Sequence, residues 1–251
     1  MSEWGWLLAP VMASALMSVL LIPLGYRVLS RNMVFADLAV AQWAALGTLA
    51  SLTLLPGTAI LGLNLTSLGF ALIAIALISL VMALTERYRE ALIGMLYVLG
   101  ASLATLLVSG DPHGAQQLAQ TLNGDLLWVG SAQLLPAGLL AVICLIWLRL
   151  PGPQQSWLFL PLFALAVTAA VDLAGIYVVF ATLIVTPLLI CHIAGRSLPT
   201  AMLACFGGHL GGLWLSADYD LPAGPAVVVS IVAVAMMLVS FSRLYSGLTR
   251  T

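Results

Sequence analysis

Apolar residues fill long stretches of this chain and are interrupted only by short polar gaps. A helix needs about 20 mostly apolar residues to cross the hydrocarbon layer, and lipid leaves no partner for an unpaired backbone group, so each long run predicts a membrane-spanning helix. Nine runs qualify: Trp6 to Tyr26, Val34 to Leu55, Leu65 to Leu84, Ala91 to Val108, Leu134 to Leu148, Trp157 to Val171, Ile176 to Ile193, Thr200 to Leu215 and Ala223 to Phe241. The expected fold class is an all-α membrane protein, a polytopic bundle of eight or nine helices. Only AVDLAG separates the sixth run from the seventh, so the two could form one kinked segment. Pro10, Pro23, Pro136, Pro161 and Pro187 fall inside the runs, where they bend helices, and the plentiful glycines let backbones approach closely. Residues 1–251 read as one transmembrane domain, with no soluble part large enough for an ATPase, a kinase or a binding lobe.

Charge turns the runs into a topology. All eight basic residues are arginines: Arg27 and Arg31 follow the first run, Arg87 and Arg89 the third, Arg149 the fifth and Arg196 the seventh, while Arg243 and Arg250 close the chain. Threaded alternately, they all fall on one face, and fusing the sixth and seventh runs would break that pattern. Positive charge is retained on the cytoplasmic side, which predicts a multi-pass protein of a bacterial inner membrane with its N-terminus outside and its C-terminus in the cytoplasm. The outer gaps are the PG turn at Pro56, the stretch from Ser109 to Gly124, the Asp172 turn and SADYDLP, and they hold Asp111, Asp172, Asp218 and Asp220 but no arginine. A composition of 63% hydrophobic and 7% charged residues makes lipid the solvent. A net charge of -1 without lysine leaves no electrostatic footprint for nucleic acid. Cys144, Cys191 and Cys205 read as buried free thiols, and the N-terminal segment as a retained first span, since it has no basic start and no small-residue cleavage site.

Three segments carry a resemblance: RNMVFADLAVAQWAALG at the second span, GDLLWVGSAQLL before the fifth, and AGIYVVFATLIVTPLLICHIAGRSLPTA continuing to SADYDLPAGPAVVV. Together they resemble the permease subunits of ABC importers for zinc, manganese and iron. The resemblance implies a type II-like permease that works as a homodimer and carries a divalent metal without a bound cofactor of its own. ATP would be hydrolysed on a separate cytoplasmic ABC ATPase, so this chain itself is not expected to be an enzyme. A periplasmic or extracellular metal-binding protein would deliver the cargo. The resemblance also assigns coupling to CHIAGRSLPTA, with His192, Gly195, Arg196 and Pro199, where Pro187 is expected to end the membrane run. The same segment also reads as an ordinary loop with a topogenic arginine.

The metal-importing family places an aspartate and a histidine four residues apart in the second span, on one helix face where both can meet a cation. Aligned through Met33, Phe35 and Gly47, those positions here are Leu38 and Gln42. Asp37 is one residue out of register and about 140° around the helix from Gln42. It either replaces the lost carboxylate after a helix rotation or caps the helix start. Asp172 reads as a carboxylate at the outer mouth or a plain turn residue, and His209, in FGGHLGG, as a satisfied core histidine or a replacement ligand. Gln42, Asp37, Asp172 and His209 are therefore the candidate path residues. The tryptophans mostly fall near span ends, as an interfacial belt does. Competing functions are a permease for a metal chelate or other small substrate, a non-transporting assembly subunit, and a haem protein, which would need two histidines facing each other at one depth.

Overall fold

The computed structural model describes residues 5–31, 34–53, 59–60 and 63–248. Nine α-helices form among them: α1 Leu8–Ser30, α2 Val34–Thr53, α3 Leu65–Leu84, α4 Arg89–Val108, α5 Gly114–Asn123, α6 Ser131–Trp147, α7 Gly152–Phe180, α8 Leu198–Tyr219 and α9 Ala223–Leu248. After α7 the helix widens into π turns over Ala181–Val185 and Pro187–Ile193. An antiparallel pair, β1 Ala59–Ile60 with β2 Leu63–Asn64, is the one departure from all-α structure among the described residues. The turn expected at Pro56 lies outside them, as do Trp4 and Arg250.

Side-chain contacts fix which ends of the helices lie together. Arg27, near the end of α1, donates to Gln155 near the start of α7, Arg31 donates to Ser156 at 3.4 Å, and the Tyr26 ring stacks on His192 with centroids 5.0 Å apart. Residues 26–31, 155–156 and 192 therefore share one end of the bundle. At the other end, Thr48 donates to the Asp172 carboxylate at 2.9 Å, and Gln133 reaches the Asp172 carbonyl at 3.4 Å. The chain thus leaves the first end at Gln155, reaches the second at Asp172 and returns by His192. A straight helix over Gln154–Ile193, 40 residues, would be about 60 Å long, twice the hydrocarbon thickness. The reversal takes place at Gly175, whose φ of 76° lies in the left-handed region.

This hairpin decides the span count. By length and hydropathy seven stretches can cross a membrane, a count that takes Gln154–Ile193 as one and omits the 17-residue α6. Splitting the first at Gly175 and including the second gives nine crossings among the described residues, as the arginine spacing requires. The Phe35 N–H donates to Glu90 at 3.3 Å, so α2 and α4 start at the same end, beside Arg31, Arg87 and Arg89. Gln155 donates to the Trp147 and Leu148 carbonyls at 3.2 and 3.0 Å, which brings Arg149 there too.

Packing divides the helices into central and peripheral. α2 and the α7 hairpin are mostly buried, while α3, α4, α6 and α9 turn Leu72, Leu80, Met95, Leu106, Ile146, Met237 and Phe241 outward. Lipid removes the hydrophobic drive between helices, so close backbone contact has to hold the periphery. Gly208 and Gly212 of α8 provide it against α9: a Cβ at Gly208 would lie 2.8 Å from the Ile231 Cα, and one at Gly212 would strike the Val227 backbone.

Three expectations need correction. The stretch from Ser109 to Gly124 is not all loop but contains the amphipathic α5. Trp43 and Trp147 are buried, donating to the Leu96 and Gln155 carbonyls at 3.0 Å each, while Trp6, Trp128, Trp157 and Trp214 are exposed as a belt requires. Pro187 does not end the seventh run, because the wider π turns carry the helix past the missing N–H as far as Ile193.

Candidate functional site

The bend in α7 builds a polar mouth at the end opposite the arginines. A cavity of about 500 Å³ there is lined by Thr48, Asn64, Gln117, Asp125, Gln133 and Asp172, among others. Asp172 is held in place from two sides by the Thr48 hydroxyl and by the Gln133 amide, whose own Oε1 accepts from the Gly130 N–H at 3.0 Å. Asn64 caps α3 through the Thr66 and Ser67 amides and donates to the Ser51 hydroxyl at 2.6 Å. The C-terminal end of α5 is pinned to the bend by glycine. Gly124 has φ 65°, and a Cβ on either Gly124 or Gly175 would collide with the other's backbone. Asp125 follows directly in this floor, and partial burial raises its carboxyl above the usual range.

A second cavity, about 190 Å³, lies further along α2 and is lined by Leu38, Gln42, Tyr97, Leu118, Tyr177 and Phe180, among others. Gln42 sits between Phe35, near the arginine end, and Thr48 at the mouth. Leu38 and Gln42, the positions that the resemblance sets against the metal-importing family's ligands, thus share one cavity wall, the first with an aliphatic and the second with an amide side chain. α5 divides the cavities: Gln117 and Thr121 line the mouth, and Leu118 and Leu122 line the Gln42 cavity. Sequence reading missed this helix because only these two leucines, four residues apart, mark its apolar face.

The remaining candidates are not brought together with Gln42. Asp37 lines neither cavity; it is fully buried, and both carboxylate oxygens lack a hydrogen-bond partner. It therefore does not cap α2, and the proposed rotation into the Leu38 position does not occur. His209 is fully buried in α8, with Nε2 2.9 Å from the Thr182 hydroxyl and Nδ1 unpartnered. Cys205 lies one turn earlier on the same helix, against Ser18, Thr182 and Thr186. The four-residue spacing of Cys205 and His209 was available in the sequence as a sign that both face one polar seam. His192 packs on Tyr26 at the arginine end, away from His209, so the two histidines of the haem reading do not face each other. Among the described residues no three His, Cys, Asp or Glu side chains are placed to hold a metal ion.

At the arginine end, residues 194–197 join the α7 hairpin to α8. Gly195 takes φ 62°, which lets the Arg196 N–H return to the Ile190 carbonyl at 2.9 Å. Ser197 shares a hydrogen bond with the Thr200 hydroxyl at 2.9 Å, and Pro199 stands in the first turn of α8, where a missing N–H is tolerated. Gly195 and Arg196 thus lie in a tight exposed turn, with His192 in the last π turn before it and Pro199 in the first turn of α8.

Residues 153–243, from the start of the α7 hairpin into α9, match the ABC 3 transport family. The segment contains Asp172, the 194–197 turn and His209; Asp37 and Gln42 lie before it. Among solved structures, a chain of PsaBC from Streptococcus pneumoniae in complex with Fab has the same fold, with a TM-score of 0.75 at 16% identity over 94% of this chain and 91% of that one. No curated protein sequence matches this chain.

Proposed function

We propose that this chain is the membrane-spanning permease subunit of an ABC importer that moves a divalent metal ion, zinc, manganese or iron, into the cytoplasm. The observation that carries the reading is the ABC 3 match over the segment that builds both the Asp172 mouth and the exposed 194–197 turn. The mouth would receive the cation through oxygen donors, Gln42 would line its onward path, and the turn would meet a separate cytoplasmic ATPase. The Gln42 cavity opens beside Tyr177, which is 46% exposed, so a second copy of the permease is a natural wall for it. A metal-binding protein would dock on the arginine-free face. The test is ATP-driven uptake of radioactive manganese, zinc or iron into proteoliposomes holding the permease with the ATPase that co-purifies with it. Absence of ATP-dependent uptake for all three metals, with the ATPase bound and hydrolysing, would sink the proposal.

A second reading, a permease for a metal chelate, is favoured by the size of the mouth. Six waters occupy about 180 Å³ at their liquid volume, so about 500 Å³ exceeds what a hydrated ion needs. Uptake that requires a small-molecule chelator in the same vesicles would select this reading.

A further inference from the structure

The arginine end holds a third cavity, about 460 Å³, between the end of α1, the α6–α7 turn and the turn before α8. Arg27 and Arg196 both line it, together with Tyr26, Gln155 and Ser197, and no carboxylate does. The two guanidinium groups are not neutralised from within. Neither they nor neighbouring Arg31 forms an ion pair among the described residues. Arg31 lies 4.5 Å over the Phe159 ring, and burial together with the charge of Arg27 lowers its pKa. Arg27 and Arg31 are partly buried and Arg196 is exposed at the rim, and partly buried like charges without a counter-ion are unfavourable unless an anion joins them.

The cavity is also built and oriented. Gln155, 8% exposed, donates to the Trp147 and Leu148 carbonyls and accepts from Arg27, whose guanidinium stands 5.8 Å from the Trp147 ring centroid. Arg27 is thereby held in one direction. Across the cavity, the 22-residue α8 begins without a side-chain cap, so its first amides and its positive dipole end add to the field of Arg196. Pro23, Leu148 and Leu198 form apolar walls beside these cations. Cationic groups flanked by apolar walls at the end of a membrane helix suit a phosphate that enters with its acyl chains still in the bilayer.

We infer that this cavity binds the phosphodiester headgroup of an anionic membrane lipid, gripped by Arg27 and Arg196 and seated against the start of α8. The ATPase contact proposed above uses the exposed outer side of the same turn; a carboxylate reaching inward from it would satisfy the charge but would leave the apolar walls without a ligand. The site is independent of what the protein transports.

The test uses the purified full chain in nanodiscs made of equal parts phosphatidylglycerol and phosphatidylcholine, followed by transfer to detergent and native mass spectrometry. Wild-type protein should retain phosphatidylglycerol and shed phosphatidylcholine. The double variant Arg27→Gln, Arg196→Gln should bind phosphatidylglycerol about thirtyfold more weakly, since each interfacial cation accounts for about a factor of five. Arg87→Gln, which removes an arginine of the same face outside the cavity, should keep the lipid. Equal retention of both lipids by the wild type overturns the inference even if the double variant does not fold. Two further results also overturn it: release of the lipid by millimolar inorganic phosphate, which would make the ligand a free ion, and its release when the ATPase binds, which would make the cavity a protein contact.

Discussion

Gln42 and Asp37 are five residues apart on α2 and meet different fates. Gln42 is 3% exposed and faces the small cavity, where its amide is a polar group that an entering cation could meet. Gln42→Leu should lower metal uptake about tenfold, the usual worth of a hydrogen bond to a charged group, without loss of assembly. Wild-type uptake by this variant in proteoliposomes would place the path elsewhere. Asp37 is a buried carboxylate with neither oxygen bonded, an arrangement that opposes folding. Asp37→Asn should therefore raise thermal stability, by on the order of 1–3 kcal/mol, and leave uptake within about twofold. A stability loss, or a large fall in uptake, would give the carboxylate a role that its packing does not suggest. The angular separation of the two residues was legible in their spacing. The failure of Asp37 as a cap was not, because it depends on where the neighbouring helices leave its oxygens.

At the scale of elements, the decisive feature is the α7 hairpin. Its two arms were legible as separate runs because Arg196 demanded a reversal, but what bends the chain is the contact between Gly175 and Gly124. Gly175→Ala meets two obstacles at once: a φ of 76°, and the Gly124 backbone where the new Cβ must go. The conformational part alone is about 1–3 kcal/mol. A lower unfolding temperature in detergent is the expected result, together with weaker uptake, since Asp172 stands three residues before the bend. An unchanged melting curve would show that the arms reverse without this contact. α5 escaped sequence reading for a different reason. At 10 residues it is too short for a membrane run, and its amphipathic pattern becomes meaningful only once one face is seen to seal the Gln42 cavity.

For the whole molecule, the helix directions place Arg27, Arg149 and Arg196 at one end and Asp172 with Asp125 at the other. Arginines held on the cytoplasmic side then put Gly110 outside and Glu86 inside. In a variant whose native cysteines are replaced, a single cysteine at Gly110 should react with a membrane-impermeant maleimide added to intact cells. One at Glu86 should react only after the membrane is opened. The reverse pattern would invert the orientation.

Alone, the sequence determined that lipid is the solvent, that the chain crosses it eight or nine times and which gaps share a face, because hydropathy and arginine placement act one segment at a time. The bend at Gly175 settled the count at nine among the described residues. The second-span register was legible too, since four residues return to one helix face whatever surrounds them. Only the tertiary structure decided which polar groups meet: Asp172 joins Thr48 and Gln133, Gln42 faces Tyr97 and Tyr177, and His209 pairs with Thr182. In a chain this apolar nearly every helix face is greasy, so periodicity cannot say which face turns inward. Close backbone contacts such as Gly175 on Gly124 and Gly212 on Val227 settle that, and they join residues far apart in the chain.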